Sequence, residues 1–344
     1  MAKYNRRLRF GLFYALVTLF FVEVFFRLLF IFSNLNINAF IKNSMYTADP
    51  LLGYALKPGF SMHHRHQVVK INTSGFRADE IDETSNLVFC LGGSSTFGYF
   101  NSQNETWPHL LDGLIQKEMN NWQFINAGVP GYNSWQGSTR TLTELVHFHP
   151  KLIIVSHVWN DLKYFSHPAD WKNFRDDKIF NVYVKPGLIE RNYYTYIMFN
   201  AMYHKLFGNI TPGGEAKFQN KKGQIKLNAE AFQFYAGNLE RLLDEAKNRG
   251  IRIILMDELY LRGKANTLDI SEEEVDVLFA KSDKILRKMS EKYKVPYIRL
   301  NEKIAVSEDI MDDHIHPNSK GNLLIAEEIK TVLRNILFTS HEGK

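Results

Sequence analysis

The sequence predicts an α/β protein built on a parallel sheet with helices on both faces, preceded by one transmembrane helix and a small β-rich lead-in. Three observations predict it. An apolar segment, "FGLFYALVTLFFVEVFFRLLFIF", occupies residues 10–32. From residue 46, short extended pieces alternate with Gly and Pro turns, as in "YTADPLLGYALKPGF". After residue 85, apolar runs alternate with helix-period stretches, the rhythm of βαβ units in which each helix returns the chain to lay the next strand parallel to the last.

Residues 10–32 are long enough to cross a hydrocarbon core of about 30 Å at about 1.5 Å per helical residue. Only Glu23 and Arg27 interrupt them, and four residues apart on a helix these charges share a face and can pair. The run exceeds the apolar core of a cleaved signal peptide, and no small-x-small site follows in "SNLNINAF", so an uncleaved anchor is expected. Lys3, Arg6, Arg7 and Arg9, in the basic tail of residues 1–9, carry four of the five net positive charges of the 344-residue chain. The nearest basic residue beyond the span is Lys42. This asymmetry predicts a cytoplasmic N-terminus and an extracytoplasmic body, periplasmic or at the cell surface. The near-neutral body gives no reason to expect nucleic acid as a partner. A single cysteine, Cys90 in "LVFCL", excludes an internal disulfide and reads as a small buried apolar group.

Residues 33–84 form the linker and lead-in. Its "MHHRH" offers His63, His64 and His66, but no acid or cysteine stands nearby to complete a metal-ligand set, so a solvated strand is expected. The main domain, residues 85–340, opens with the strand "NLVFCL". The helix of "NETWPHLLDGLIQKEM" follows, with Thr106 as cap, Pro108 in the first turn, and Leu110, Leu111, Leu114 and Ile115 as its apolar positions. Next come a strand at "WQFIN", a helix over residues 134–147 and a strand at "KLIIVS". Residues 163–227 then break the rhythm with an aromatic cluster and a polar turn region. They read as an insertion over one end of the sheet, a lid or a surface elaboration. The alternation resumes with a helix ending at Gly250, a strand at "IRIILMDEL", a helix over residues 273–293 and a strand at "VPYIRL". The final helix, in "NSKGNLLIAEEIKTVLRNIL", has Leu324, Ile325, Ile329, Val332 and Ile336 as its expected apolar face.

In such folds function gathers at the carboxyl ends of the strands. Four features fall there: "GGSSTFG", "NAGVPGYNS", "VWND" and "DDHIHPNSKG". A serine hydroxyl becomes a competent nucleophile when a base takes its proton, and the base is usually a histidine held by a carboxylate. His316 has Asp313 three residues before it, and Pro317 keeps His316 out of helical geometry at the mouth of the final helix, which Asn318 can cap. Attack on an ester creates an oxyanion that needs donors fixed in advance. A backbone N–H at Gly131 and the Asn160 amide can supply them. Ser95 and Thr96 read as turn-forming and capping groups, His314 as a solvated or supporting polar group, and Asp161 as a partner for neighbouring loops. Trp159 and Tyr132 either line a pocket or pack in the core.

The ordered set "GGSSTFG", "NAGVPG", "VWND" and "DHIHP" resembles the four blocks of the Ser-Gly-Asn-His (GDSL-type) hydrolases over about residues 85–337. The lead-in "DPLLGYALKPG … INTSGFR" is similar to the N-terminal portion of membrane-anchored bacterial members. The resemblance implies a flavodoxin-like three-layer α/β/α fold and ester hydrolysis through an acyl-serine, with no metal or organic cofactor. It implies Ser94 as nucleophile, His316 as base and Asp313 as its orienting partner. The oxyanion donors would be the N–H of Ser94, Gly131 and Asn160. Two departures stand out. Gly93 occupies the aspartate position of Gly-Asp-Ser, and Val158 replaces the glycine expected two places before Asn160, where a Cβ restricts the backbone. The expected function is a membrane-tethered serine esterase acting on an ester-bearing small molecule, glycan or lipid, such as the O-acyl groups of a cell-surface glycan. The same residues would serve an acyltransferase onto a glycan hydroxyl, and a noncatalytic binding relative would keep the cleft alone.

Overall fold

The computed structural model describes residues 2–32, 45–64, 67–119, 121–166, 195, 227–264, 266, 268 and 270–338. Most of the insertion, His66, and the side chains of His63 and His64 lie outside the described residues. The chain divides into two units, Met1–Ala48 with Asp177–Gly214, and Asp49–Asp176 with Glu215–Lys344.

The first unit carries α1 (Ala2–Phe32). Its segment Phe10–Leu29 has a mean hydropathy of 2.1, and none of it is buried against protein. Glu23 and Arg27 pair at 2.8 Å, as their spacing predicts. Glu23 Oε2 also accepts hydrogen bonds from the N–H and Oγ of Thr195, at 2.9 and 2.8 Å.

Four short strands make the lead-in: β1 (Tyr46–Asp49), β2 (Gly53–Leu56), β3 (Ser61–His64) and β4 (Gln67–Lys70). β3 and β4 pair antiparallel, Ser61 opposite Lys70. The core sheet has five parallel strands, β5 (Asn86–Gly92), β6 (Trp122–Asn126), β7 (Leu152–Ser156), β8 (Arg252–Met256) and β9 (Tyr297–Ile298), in the order β6-β5-β7-β8-β9. These strands read as continuous apolar runs because both faces are covered. Leu87, Phe89, Leu91, Ile153, Val155, Ile253 and Leu255 point into one core, and Val88, Cys90, Leu152, Ile154, Ile254 and Met256 into the other.

Against the first face pack α5 (Trp159–Ser166), α6 (Ala229–Asn248) and α7 (Glu272–Tyr293), through Leu162, Tyr235, Leu239 and Leu278. Against the second pack α3 (Trp107–Gln116) and α9 (Ser319–Phe338), through Leu111, Ile115, Ile325 and Ile329. Two short helices, α2 (Ser94–Phe97) and α8 (Leu300–Lys303), and α4 (Ser134–Thr143) complete the body.

Several expectations shift. The helix expected over residues 134–147 stops at Thr143, and a 3₁₀ turn, Leu145–Phe148, follows. Thr106 stands at the start of α3, but its hydroxyl bonds back to the Gln103 carbonyl rather than capping the helix. β8 ends at Met256, and beyond it the carboxyl groups of Asp257 and Glu258 accept from the Leu300 and Val158 N–H groups. On α9, Leu324 is 38 % exposed, whereas Ala326 and Leu333 are buried with Ile325 and Ile329, and Val332 and Ile336 pack, partly buried, against the same core.

Candidate active site

Each carboxyl-terminal strand end contributes one part of the site. β5 exits through Gly92 and Gly93 into α2, whose first residue is Ser94. The loop between α8 and α9 carries Asp313 and His316. Ser94 Oγ lies 2.8 Å from His316 Nε2, and His316 Nδ1 lies 2.6 Å from Asp313 Oδ2. With the Nδ1 hydrogen directed to Asp313, Nε2 accepts the Ser94 proton. Asp313 works with both oxygens: Oδ1 accepts the N–H groups of Ile315 and His316 at 2.9 and 2.8 Å, which fixes the loop that carries the ring. Burial opposes this carboxylate. The His316 hydrogen bond and charge and the two N–H groups outweigh that and hold its pKa at about 2. Asn318 caps the helix beyond, Oδ1 accepting from Lys320 and Gly321.

The residues expected to supply oxyanion donors stand at the next two strand ends. After β6, Gly131 takes φ +83°, a left-handed conformation natural to glycine. After β7, Asn160 sits in the first turn of α5 and its Nδ2 donates to the Tyr132 carbonyl at 2.9 Å. A Cβ at Gly93 would fall 2.7 Å from that Nδ2, so the missing side chain at 93 is what lets the amide approach the Ser94 turn. Among the described residues, the N–H groups of Ser94 and Gly131 have no hydrogen-bond acceptor. The Cβ of Val158 does not force a strained turn: among the described non-glycine residues only His149 and Lys294 take positive φ.

The neighbours sort differently from several expectations. Ser95 does not cap. Its hydroxyl donates to the Ile315 carbonyl at 3.0 Å, stitching α2 to the Asp313–His316 loop. Thr96 is buried inside α2 rather than capping it. His314 is not solvated: it is 4 % exposed and packs on the Trp159 ring at 4.8 Å, and burial lowers its pKa to about 4. Trp159 and Tyr132 are core residues. Asp161 does serve a neighbouring loop, accepting from the N–H and Oγ of Ser134 at 2.9 and 2.6 Å.

Three contributors escaped the sequence reading. Tyr99 and Phe100 pack on the His316 ring at 5.6 and 5.2 Å, and Phe100 is 41 % exposed beside it. Arg77, from the lead-in, is buried and donates to the carbonyls of Phe97, Gly98 and Asn101 at 2.7, 2.7 and 2.6 Å, gripping the chain just past the serine. Burial lowers its pKa to about 9, which leaves it charged at neutral pH. Glu258, after β8, accepts the N–H groups of Val158 and Trp159. The only signal for Arg77 was its place in "INTSGFR", and for Glu258 its place as an acid near the end of the apolar run "IRIILMDEL".

A serine, a histidine and a carboxylate so linked, beside preset N–H donors, can carry out acyl transfer through a covalent acyl-serine. Among solved structures, the psychrotrophic esterase EstA from Pseudoalteromonas sp., inhibited by monoethylphosphonate, is 17 % identical, with a TM-score of 0.46 over 74 % of this chain and 99 % of its own. A GDSL-like lipase from Bacteroides thetaiotaomicron VPI-5482 is 16 % identical, with a TM-score of 0.44 over 76 % and 93 %. The acetyl xylan esterase AlAXEase is 13 % identical, with a TM-score of 0.44 over 72 % and 98 %. No curated protein matches the chain. The family model described as "GDSL-like Lipase/Acylhydrolase family" matches residues 90–324, more than half of the chain. The chain therefore belongs to the GDSL-like lipase/acylhydrolase family and is an SGNH-type serine hydrolase.

Proposed function

We propose that the protein is a membrane-tethered esterase in which Ser94 is the nucleophile, His316 the base and Asp313 its orienting partner. The observation that carries this reading is the continuous link from Ser94 Oγ through His316 to Asp313, at 2.8 and 2.6 Å. Ser94 attacks the ester carbonyl while His316 takes its proton. The oxyanion is received by the Ser94 and Gly131 N–H groups and the Asn160 amide. His316 then protonates the departing alcohol, and a water molecule activated by the same ring releases the acid. The strand order supports the flavodoxin-like reading, since counting the core strands from β5 as the first gives 2-1-3-4-5. Residues 85–340 are the catalytic domain on this reading, with 33–84 its lead-in.

The exposed apolar span of α1 and its basic flank support a membrane anchor with a cytoplasmic N-terminus and an extracytoplasmic site. The substrate is an ester at the membrane or cell surface, such as an O-acylated glycan or a lipid. Full-length protein in detergent should hydrolyse a short-chain nitrophenyl ester and be labelled stoichiometrically by a fluorophosphonate. Ser94→Ala should abolish both. A variant that keeps wild-type turnover removes Ser94 from the chemistry. Deleting residues 1–32 should release the protein from the membrane fraction, and continued sedimentation with membranes would argue against the anchor.

A further inference from the structure

At the end of β8 the chain passes through two consecutive buried acids, Asp257 and Glu258. Neither belongs to the Ser94–His316–Asp313 link. Glu258 Oε2 accepts from the Val158 N–H at 3.0 Å and from the Trp159 N–H. These two residues bring the chain into α5, where Asn160 is the second residue. A helix start leaves its first N–H groups without intrahelical partners, and a carboxyl oxygen aimed at them can hold them.

Glu258 is itself held. Its carbonyl accepts from Asn301 Nδ2 at 2.6 Å, and that amide also donates to Asp257 Oδ2 at 3.1 Å. Asp257 Oδ1 in turn receives the Leu300 N–H at 2.6 Å. The ring of Trp159 packs on Tyr260 at 5.6 Å and 16°, and on His314 at 4.8 Å. The first turn of α5 is thus fastened through its backbone to β8 and through Trp159 to the chain beyond. The family pattern gives this turn a glycine at 158. Here a valine stands there, and a buried acceptor from the adjacent strand fixes the turn.

We propose that Glu258 is a positioning residue for the oxyanion hole: by holding the Val158 and Trp159 N–H groups, it sets the direction of the Asn160 amide. The inference rests on Asn160 being an oxyanion donor, as read above. It predicts that reach matters more than charge at this position. Glu258→Gln keeps the chain length and presents a carbonyl oxygen to the same two N–H groups. Glu258→Asp keeps the charge but withdraws the acceptor by about one C–C bond, about 1.5 Å.

The test measures kcat and KM of full-length protein in detergent, per site titrated with fluorophosphonate, so that only folded enzyme is counted. Glu258→Asp should lose about ten- to a hundredfold in kcat with little change in KM, while Glu258→Gln keeps most of kcat. The reverse order, or equal losses, overturns the proposal, because a role in charge or bulk predicts those results. Adding Glu258→Asp to Asn160→Ala should cost little beyond Asn160→Ala alone, since Glu258 acts through that amide. The same fold-loss in both backgrounds overturns the proposal. Asn160→Ala with wild-type kcat overturns the oxyanion reading beneath it, and that result is distinguishable from the order of the two Glu258 variants.

Discussion

Placing a methyl group on Gly93 puts it where the Asn160 amide now lies. An added Cβ falls 2.7 Å from Asn160 Nδ2 and 3.3 Å from the Tyr132 carbonyl oxygen, and ordinary contact begins near 3.4 Å. The backbone oxygen cannot withdraw, so the amide must retreat by about 0.7 Å or swing aside. Its 2.9 Å bond to Tyr132 is strained or broken in the process. A misplacement on the order of 1 Å costs roughly a hundredfold, and outright loss of an oxyanion donor roughly a hundred- to a thousandfold. Gly93→Ala should therefore lower kcat by about ten- to a hundredfold. KM should change little if, as proposed, the displaced amide serves the tetrahedral state rather than the bound ester. One disturbed hydrogen bond is worth about 1 kcal/mol, so the thermal midpoint should fall by only a few degrees. The assay is nitrophenyl-ester turnover per fluorophosphonate-titrated serine, with a melting curve alongside. Aspartate at 93, as the family pattern has it, should do no better in this chain. Wild-type kcat in Gly93→Ala would refute the reasoning, since the amide would then not be where the oxyanion forms.

Further outcomes follow from other contacts. Arg77→Met keeps much of the buried stem but removes three hydrogen bonds from a charged donor, leaving the Phe97, Gly98 and Asn101 carbonyls with Asn126 Nδ2, the Asn101 N–H and Gln67 Nε2 as their donors. At about 1.5–3 kcal/mol for each hydrogen bond to a charged group, the loss should exceed about 3 kcal/mol, read as a lowered urea midpoint. Burial raises Asp161, Asp257 and Glu258 to pKa values of about 7. The native state thus binds their protons more tightly than the unfolded chain. Their stabilising contribution is whole below the ordinary carboxylate range and is lost as pH rises through about 7. The urea midpoint should accordingly decline from pH 5 to pH 8, and Asp161→Asn should make that decline shallower. A leaving alcohol must come within hydrogen-bond reach of His316 Nε2, beside the exposed Phe100 ring. Phe100→Ala should weaken transition-state binding of esters of cyclic or aromatic alcohols by about 0.5–1.5 kcal/mol relative to ethyl esters, read from the ratio of kcat/KM values.

The architecture was legible where burial is two-sided and the determinant is local. Residues 87–91 and 152–155 are apolar throughout because helices cover both faces of the sheet, so they stood out as strands. Ser94 and His316 are 222 positions apart. They could still be associated, because each ends an element at the same edge of an alternating sheet. What escaped notice depends on which strands are neighbours. Glu258 reads only as part of the strand "IRIILMDEL", and its role depends on β8 lying beside β7, whose exit loop it serves. Ser95 looks like a cap until its hydroxyl is seen to reach a carbonyl 220 positions away. On α9, the expected apolar face includes Leu324, but that residue is 38 % exposed and Ala326 is buried instead.

The lead-in also changes what counts as the enzyme. Tyr54 donates to the Pro130 carbonyl, Tyr132 returns a bond to the Tyr54 carbonyl, and Gln136 donates to Leu52. Arg77 meanwhile grips the carbonyls behind the serine. The segment Asp49–Arg77 therefore acts as a clasp drawn across two of the loops that form the site. A recombinant fragment cut at the family boundary near residue 90 would retain the serine, the histidine, the aspartate and every helix of the body. It would release the clasp, and with it the fixed spacing between the Ser94 turn and the Gly131–Tyr132 turn. The sequence boundary of the family and the physical boundary of a working catalyst differ by some forty residues, and expression, truncation or domain grafting has to respect the second.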